Sequence, residues 1–218
     1  MSIFRRAWRT NEAPSDRWVI VGLGNPGERY ASTRHNIGVA VVDELLARAG
    51  TALKRHKSGC LVAEMTLAGS RVVLARPTSF MNESGRPVRE LLRWYKVPLD
   101  RLIVVHDELD IPFGRVRVKF GGGTAGHNGL NSVGSHLASK GFLRVRVGVS
   151  RPPTRMDPAD YVLSEFSPQQ KKMLSEVVDE AADAVEMIIE KGPERAMNDV
   201  NTRPPDDHRR EVGLPTTE

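Results

Sequence analysis

Three apolar runs in this chain each lead into a polar side chain suited to binding protons or oxygen atoms. The runs WVIVGLG, VVLARPTSFM and LIVVH are followed by Asn25, Asn82 and Asp107, respectively. Between the first two runs, apolar residues recur at helical spacing over 37–49, which predicts an α/β fold. Because ligands of open α/β sheets bind beyond the carboxyl ends of the strands, we expect one shared site for these three side chains.

The length and composition indicate one folded domain with polar ends. The chain has 218 residues, of which 39% are hydrophobic and 27% are charged, and this size fits a single core. Residues 1–17 and 203–218 are polar and lack periodicity, so we expect flexible ends around a domain at 18–202. The sequence shows no apolar stretch near the ~20 residues of a membrane span, no secretory signal and only one cysteine. We therefore expect a cytoplasmic protein without membrane contact.

The pattern beyond the first helix predicts further elements of the same sheet. CLVAEMTL and RVVLA, separated by AGS, predict a hairpin, and the apolar spacing over 88–95 predicts a second helix. RVRVKF and LRVRVGV alternate cations with apolar residues, which predicts two strands that each carry a basic face. Ser167 and Pro168 are typical of a helix start, and the long apolar stripe after them ends at Gly192.

Cationic residues are concentrated in one part of the chain. Residues 111–156 contain no Asp or Glu, whereas the net charge of the whole chain is only +5. Such segregation predicts a surface of positive potential that is suited to phosphate groups. The Arg and Lys residues of this stretch are Arg115, Arg117, Lys119, Lys140, Arg144, Arg146, Arg151 and Arg155.

Two glycine-rich segments resemble nucleotide-binding loops but lack the necessary context. Residues 22–27 formally match the dinucleotide pattern G-x-G-x-x-G. However, Pro26 removes an amide that would face a pyrophosphate, and the helical period starts only near Ile37. Residues 121–130 lack the lysine and hydroxyl ending of a P-loop. We therefore expect no nicotinamide, flavin or nucleoside triphosphate cofactor.

A metal site is an alternative to plain acid–base chemistry. His35, His106, His127, Asp107 and Asp110 are residue types that bind zinc or manganese, but their spacing does not require an ion. His106 and Asp107 are adjacent on a predicted strand and point to opposite faces, which argues against one shared ion. A serine hydrolase is disfavoured because the sequence contains no G-x-S-x-G motif. We expect a site without metal.

The remaining chemistry needs neither a metal nor a covalent intermediate. A histidine takes a proton from water, a carboxylate holds that histidine, and amides orient the group to be cleaved. His35 and Asp107 fit the first two roles, and Asn25, Asn82 and Asn128 offer donors and acceptors without adding charge. Because each asparagine is also typical of a turn or cap, this pattern alone leaves both roles open.

Four longer motifs resemble the successive signatures of bacterial-type peptidyl-tRNA hydrolases. They are VGLGNPGERYASTRHNIG, RPTSFMNESG, VVHDELDIPFGRVRVKFGGGTAGHNGL and FLRVRVGVSRPP, and the resemblance spans about residues 18–201. It implies cleavage of the ester between a peptide and the terminal ribose of tRNA, which recycles tRNA during translation. It also implies a single α/β domain with a mixed, twisted sheet flanked by helices, in a cytoplasmic monomer without metal, cofactor or obligate protein partner.

The resemblance assigns roles to the residues of the proposed site. His35 matches the catalytic base, and Asp107 matches the acid that orients it. Asn25 and Asn82 match residues that place the substrate and the water. Asn128 matches a residue that binds the peptide or the terminal adenosine region.

Five further residues receive roles in the same way. Tyr30 and Met81 match positions that line the cleft, and His127 matches a neighbour of the site. Lys119 and Arg146 match the pair that holds the 5′ phosphate of tRNA, which agrees with the acid-free stretch.

The chain departs from the family pattern at two positions. Asn131 stands where the family commonly has a basic residue, and Ser150 stands where it commonly has glycine. A non-catalytic RNA-binding protein is the competing class, because relatives that act in RNA splicing are known. The presence of His35 and Asp107 favours the enzyme.

Overall fold

The computed structural model describes residues 15–152 and 155–204. Residues 1–14 and 205–218, where most of the two flexible ends are predicted, lie outside the described residues. The described part of the first end is bound to the domain. The Ser15 amide donates to the Lys96 carbonyl at 3.0 Å, and Asp16 pairs with Arg71 at 2.5 Å.

One mixed sheet contains the described strands. These are β1 (Trp18–Gly22), β2 (Lys54–Arg55), β3 (Cys60–Leu67), β4 (Ser70–Pro77), β5 (Leu102–Glu108), β6 (Val116–Phe120) and β7 (Leu143–Gly148). Their order in the sheet is β2-β3-β4-β1-β5-β7-β6. β1 is parallel to β4 and β5, and β5 is parallel to β7, whereas β3 and β6 run antiparallel to their neighbours.

Helices cover both faces of the sheet. They are α1 (Ile37–Arg48), α2 (Gly85–Tyr95), α3 (Asn128–Leu137), α4 (Pro158–Val162), α5 (Pro168–Lys191) and α6 (Pro193–Asn201). α1, α5 and α6 contribute to the core on one face, and α2 and α3 to the core on the other. None of the described helices is both long and apolar enough to cross a membrane. The predicted single α/β domain with a mixed sheet flanked by helices is confirmed.

Most elements begin and end where the local sequence predicts. β1 is buried at all five positions, as expected for a central strand with helices on both sides. Ser167 caps α5 through the Gln170 amide, the Gln170 side chain accepts from the Ser167 amide, and α5 ends at Gly192. α4 and α6 have no predicted counterpart, because α4 is short and α6 carries only two buried side chains.

A close approach between α1 and the sheet places the turn that carries His35 beside β5. A Cβ on Gly22 would lie 2.2 Å from the Gly38 carbonyl oxygen, and a Cβ on Gly38 would lie 2.3 Å from the Val105 oxygen. Both positions therefore require glycine. Since β1, β4 and β5 are parallel, their carboxyl ends share one edge of the sheet, and α1 starts at that edge.

Candidate active site

A cleft of about 700 Å³ opens at the edge where these strands end. Its walls come from the turn after β1, the segment after β4, the end of β5, the glycine loop before α3, and α4. Eight of the ten predicted site residues line it, namely Asn25, Tyr30, His35, Met81, Asn82, Asp107, His127 and Asn128. Lys119 and Arg146 lie outside this lining, on β6 and β7.

His35 and Asp107 meet through a buried hydrogen bond. His35 Nδ1 lies 2.9 Å from Asp107 Oδ1, and the two residues are 8% and 3% exposed. Burial alone raises the pKa of the Asp107 carboxyl, but the His127 and His35 rings outweigh it and hold that pKa far below its usual value. Because an ionised carboxylate only accepts, we assign the proton of His35 to Nδ1. Its Nε2 then carries a lone pair and can take a proton.

His127 binds the same carboxylate oxygen but has no nitrogen left for chemistry. Its Nε2 lies 3.0 Å from Asp107 Oδ1. Its Nδ1 accepts from the amides of Gly129 at 3.1 Å and Leu130 at 3.3 Å, so the ring caps α3. This network assigns the proton to Nε2 and makes His127 a rigid support for the carboxylate.

The five residues of the metal alternative are not brought together. His106 donates from Nδ1 to the backbone oxygen of Asp107 at 2.6 Å, and burial first, then His127, lowers the pKa of its imidazole well below the usual value. Asp110 instead pairs with Arg151. A smaller group remains, since His35, Asp107 and His127 place their ligand atoms within 4.8 Å of one another. Both histidine rings are hydrogen-bonded to the same oxygen, Asp107 Oδ1.

Asn25 is oriented by two partners. Its side-chain oxygen accepts from the Met81 amide at 2.9 Å, which leaves its Nδ2 group as a donor at the cleft. Asn36 holds the Asn25 backbone on both sides, accepting from its amide at 2.8 Å and donating to its carbonyl at 2.9 Å. The His35-Asn36 pair lies in a turn-like stretch that was expected to be able to join the site, but the contact of Asn36 with the Asn25 backbone was not predicted.

Asn82 and Asn128 present unused amides to the cleft. Both residues are exposed, and neither side chain has a hydrogen-bond partner within residues 15–152 and 155–204. Asn128 is the first residue of α3, beside the capping ring of His127. Each amide is therefore available to a substrate or a water molecule.

An aromatic pair forms the rim of the cleft. Tyr30 and Phe80 meet edge to face with ring centroids 6.4 Å apart, and Phe80 is 52% exposed. Met81, the next residue, is buried against Gly129, where an added Cβ would lie 2.4 Å from its sulfur. The sequence predicted Tyr30 and Met81 for the cleft but not Phe80.

Arg34 connects the turn that carries His35 to the opposite wall of the cleft. Its guanidinium donates to Ser164 Oγ at 2.7 Å, to the Glu165 carbonyl at 2.5 Å and to Gln170 Oε1 at 3.0 Å. It also lies 4.1 Å from the ring centroid of Tyr161 in α4, which contributes residues to the cleft lining. Sequence reasoning missed this contact because its partners follow some 130 positions later.

The basic strand faces differ from the prediction in one respect. Pairing places Arg117 opposite Arg146 and Lys119 opposite Arg144, so these cations share one face of the sheet. Arg144, however, is 2% exposed and donates to the carbonyls of Gly123 at 2.6 Å and Gly122 at 2.7 Å. It holds the glycine loop instead of facing solvent.

Arg146 has an acidic partner, Glu108, which lies just before the acid-free stretch in the sequence. Its Nε and Nη2 donate to Glu108 Oε2 at 3.1 and 3.0 Å. Glu108 lies on the neighbouring strand β5 and also lines the cleft. The ion pair therefore connects the basic face to the site of His35 and Asp107.

The two departures from the family pattern make local contacts. Asn131 accepts from Thr124 Oγ1 of the glycine loop at 2.6 Å. Ser150 has a φ of 63°, in the region that favours glycine, and its hydroxyl accepts from the Phe113 amide at 2.8 Å.

Comparison with known proteins gives consistent results. The chain matches the family model described as peptidyl-tRNA hydrolase over residues 19–208. It is 58% identical to the peptidyl-tRNA hydrolase of Frankia casuarinae over 181 residues, covering 83% of this chain and 92% of the relative. It is 53% identical to that of Mycolicibacterium smegmatis over 184 residues, covering 84% and 96%. The crystal structure of peptidyl-tRNA hydrolase from Acinetobacter baumannii superposes with a TM-score of 0.81 at 33% identity, covering 88% of this chain and 98% of that one.

Proposed function

Because this chain belongs to the peptidyl-tRNA hydrolase family, we propose that its cleft hydrolyses the peptide–ribose ester of peptidyl-tRNA with a water molecule activated at His35. One observation carries this mechanism: Asp107 engages Nδ1 of His35 at 2.9 Å and so leaves Nε2 as the base beside the cleft. The products are a free peptide and a tRNA that can be charged again for translation.

The reaction proceeds through a tetrahedral intermediate. His35 Nε2 takes a proton from water as the oxygen attacks the ester carbonyl, and the ionised Asp107 stabilises the resulting imidazolium. Amide donors such as Asn25 Nδ2 stabilise the oxyanion. When the intermediate collapses, the C–O bond to the ribose breaks and the leaving hydroxyl recovers the proton from His35. An ester is a reactive acyl group, so a general base and amide donors to the oxyanion suffice for its hydrolysis. Each of the two contributes roughly 10²- to 10⁴-fold to the rate.

The tRNA is held at a second point outside the cleft. Lys119 and Arg146 lie on one face of β6 and β7, and they provide charge-assisted contacts for the 5′ phosphate. Glu108 fixes the Arg146 guanidinium through two donors, which leaves Nη1 for a phosphate oxygen. The ester and the phosphate are thus bound by separate groups.

Lys119→Ala and Arg146→Ala are each expected to raise KM for peptidyl-tRNA by roughly tenfold to a hundredfold, the worth of one charge-assisted contact. Steady-state kinetics should show kcat/KM on a short peptidyl ester unchanged within about twofold, because that substrate carries no 5′ phosphate.

Lys140→Ala is the matched control, since Lys140 is an exposed cation of the same acid-free stretch. The melting temperature of Arg146→Ala should also be measured, because that change leaves the buried Glu108 without its partner. Equal losses on tRNA and ester substrates would remove the phosphate clamp from the mechanism.

Turnover of peptidyl-tRNA by the purified protein is expected to persist after prolonged treatment with a chelator. His35, Asp107 and His127 are the residues that could hold an ion, but both rings instead donate to Asp107 Oδ1. Activity that disappears with chelator and returns with zinc would support the metal alternative. A protein that binds tRNA without turnover would support the non-catalytic RNA-binding alternative.

Four features of the assignment remain predictions from the sequence. These are the domain boundaries at 18–202, the monomeric state, the absence of an obligate protein partner and the cytoplasmic location.

A further inference from the structure

A second cationic surface lies at the edge of the sheet far from β6. We call it the edge patch and define it by Lys54, Arg55, Lys57, Arg93 and Trp94, in which Lys54 and Arg55 extend from opposite faces of the edge strand β2. All five residues are exposed, and 52% of the Trp94 surface faces solvent. None of the roles proposed above involves them.

The charge of the edge patch is largely uncompensated. Residues 45–63 contain no Asp or Glu. Lys54 and Arg55 have no ion-pair partner within residues 15–152 and 155–204. Two nearby acids already have partners. Glu90 of α2 is shared between Arg89 at 3.0 Å and Arg93 at 3.6 Å. Glu64 of β3, which lies near His56, pairs with Arg17 at 3.4 Å. The patch therefore attracts anions.

Lys57 and His56 contact the Trp94 indole at the centre of the patch. Lys57 Nζ lies 3.3 Å from the Trp94 ring centroid, and the His56 ring meets Trp94 edge to face at 5.7 Å. His56 in turn stacks on Tyr95 at an angle of 25°. Burial first, then Lys57, lowers the pKa of His56, which keeps this ring uncharged at neutral pH. Trp94 thus contacts neighbouring side chains while about half of its surface faces solvent.

The edge patch is separate from the phosphate clamp. Six strand spacings lie between β2 and β6, which places the two surfaces about 29 Å apart across the sheet. The loop after β2 contacts the segment after β4, because the Gly59 carbonyl accepts from the amide and hydroxyl of Thr78. A ligand of the patch therefore needs no contact with Lys119 or Arg146.

We propose that the edge patch binds single-stranded RNA independently of the phosphate clamp. Its cations match the regular charge of a phosphate backbone. Its exposed indole offers a surface on which an unpaired base stacks when the exposed Lys57 side chain moves from the ring to a phosphate. Charge on β2 also protects an edge strand from pairing with other chains. That role explains Lys54 and Arg55 but not the exposed Trp94 beside a lysine of the adjoining loop.

Fluorescence anisotropy of the full-length protein with a labelled single-stranded RNA tests this proposal. The RNA has about 12 nucleotides and lacks a 5′ phosphate, so it offers the clamp internal phosphodiesters only, and the Lys119→Ala control measures any binding there. Trp94→Ala should weaken binding about tenfold, as expected for the loss of one stacked base, while Trp94→Phe should retain most of it. Lys54→Ser with Arg55→Ser should reduce the slope of log K against log salt by about 1.4, for two lost phosphate contacts.

Two controls separate this surface from the rest of the protein. Lys172→Ser with Lys191→Ser removes the same charge from exposed positions on α5 and should leave RNA binding unchanged. RNA binding at the patch should persist in Lys119→Ala. Hydrolysis of a short ester by the edge-patch and α5 variants verifies their fold. An RNA affinity that is unchanged by the substitutions at Trp94, Lys54 and Arg55 would overturn the proposal and leave edge protection as the role of the cations. The hydrolase mechanism would not be affected by that result.

Discussion

Replacing His35 with asparagine is expected to lower kcat for peptidyl-tRNA by roughly 10²- to 10⁴-fold, the usual contribution of a general base. The asparagine amide takes the place of Nδ1, which lies 2.9 Å from Asp107 Oδ1, so the buried carboxylate keeps its donor. The change removes Nε2, the atom that accepts the proton from water. KM should change little, because the asparagines of the cleft and the cationic clamp remain.

His127→Gln is the matched control for this experiment. The glutamine amide takes the place of Nε2, which is the nitrogen that His127 uses toward Asp107 at 3.0 Å. Both variants thus preserve a donor to the same oxygen and remove the other ring nitrogen. For His127 that nitrogen only caps α3, so the loss in kcat should stay below about tenfold.

Steady-state kinetics on peptidyl-tRNA, with melting temperatures for both variants, decides between the two histidines. A larger loss of kcat for His127→Gln than for His35→Asn would show that His127, and not His35, is the base. Similar small losses for both would mean that water attacks without a histidine base.

The shared location of Asn25 and Asp107 was predictable because it depends only on where buried strands end. Asn25 and Asp107 follow strands that are buried on both faces, and such strands show as continuous apolar runs. Parallel pairing of β1 with β5 then brings their ends to one edge. The predictions for the fold needed no knowledge of individual contacts.

The solvent exposure of the charged residues could not be predicted in the same way. Arg144 and Arg146 have the same spacing and alternation, yet the first binds loop carbonyls and the second pairs with Glu108. The difference arises from the loop and strand that happen to lie beside each guanidinium. Arg34 is a similar case, because its acceptors lie some 130 positions later in the chain, after α4 and at the start of α5. Alternation identifies the face of a strand, but not what covers that face.

Asp107→Asn is expected to lower kcat by roughly 10²- to 10³-fold while leaving KM nearly unchanged. Asparagine retains an oxygen for the donors of His35 and His127, so the two rings can keep their positions. What disappears is the negative charge that stabilises the imidazolium formed on His35 during water attack. A variant with kcat within about threefold of the unmodified protein would show that the carboxylate only positions the ring.

The same substitution should also change the dependence of stability on pH. The folded-state pKa of Asp107 lies far below the ordinary value of 3.8, so the folded protein binds this proton more weakly than the unfolded chain. Its contribution to stability is therefore fully present above about pH 5 and is lost progressively as the pH falls below the ordinary value. Melting temperatures between about pH 6 and pH 3 should fall more steeply for the unmodified protein than for Asp107→Asn. Parallel curves would mean that this carboxyl has similar proton affinity in the folded and unfolded chain, and the charged Asp107 that our mechanism requires would lose its support.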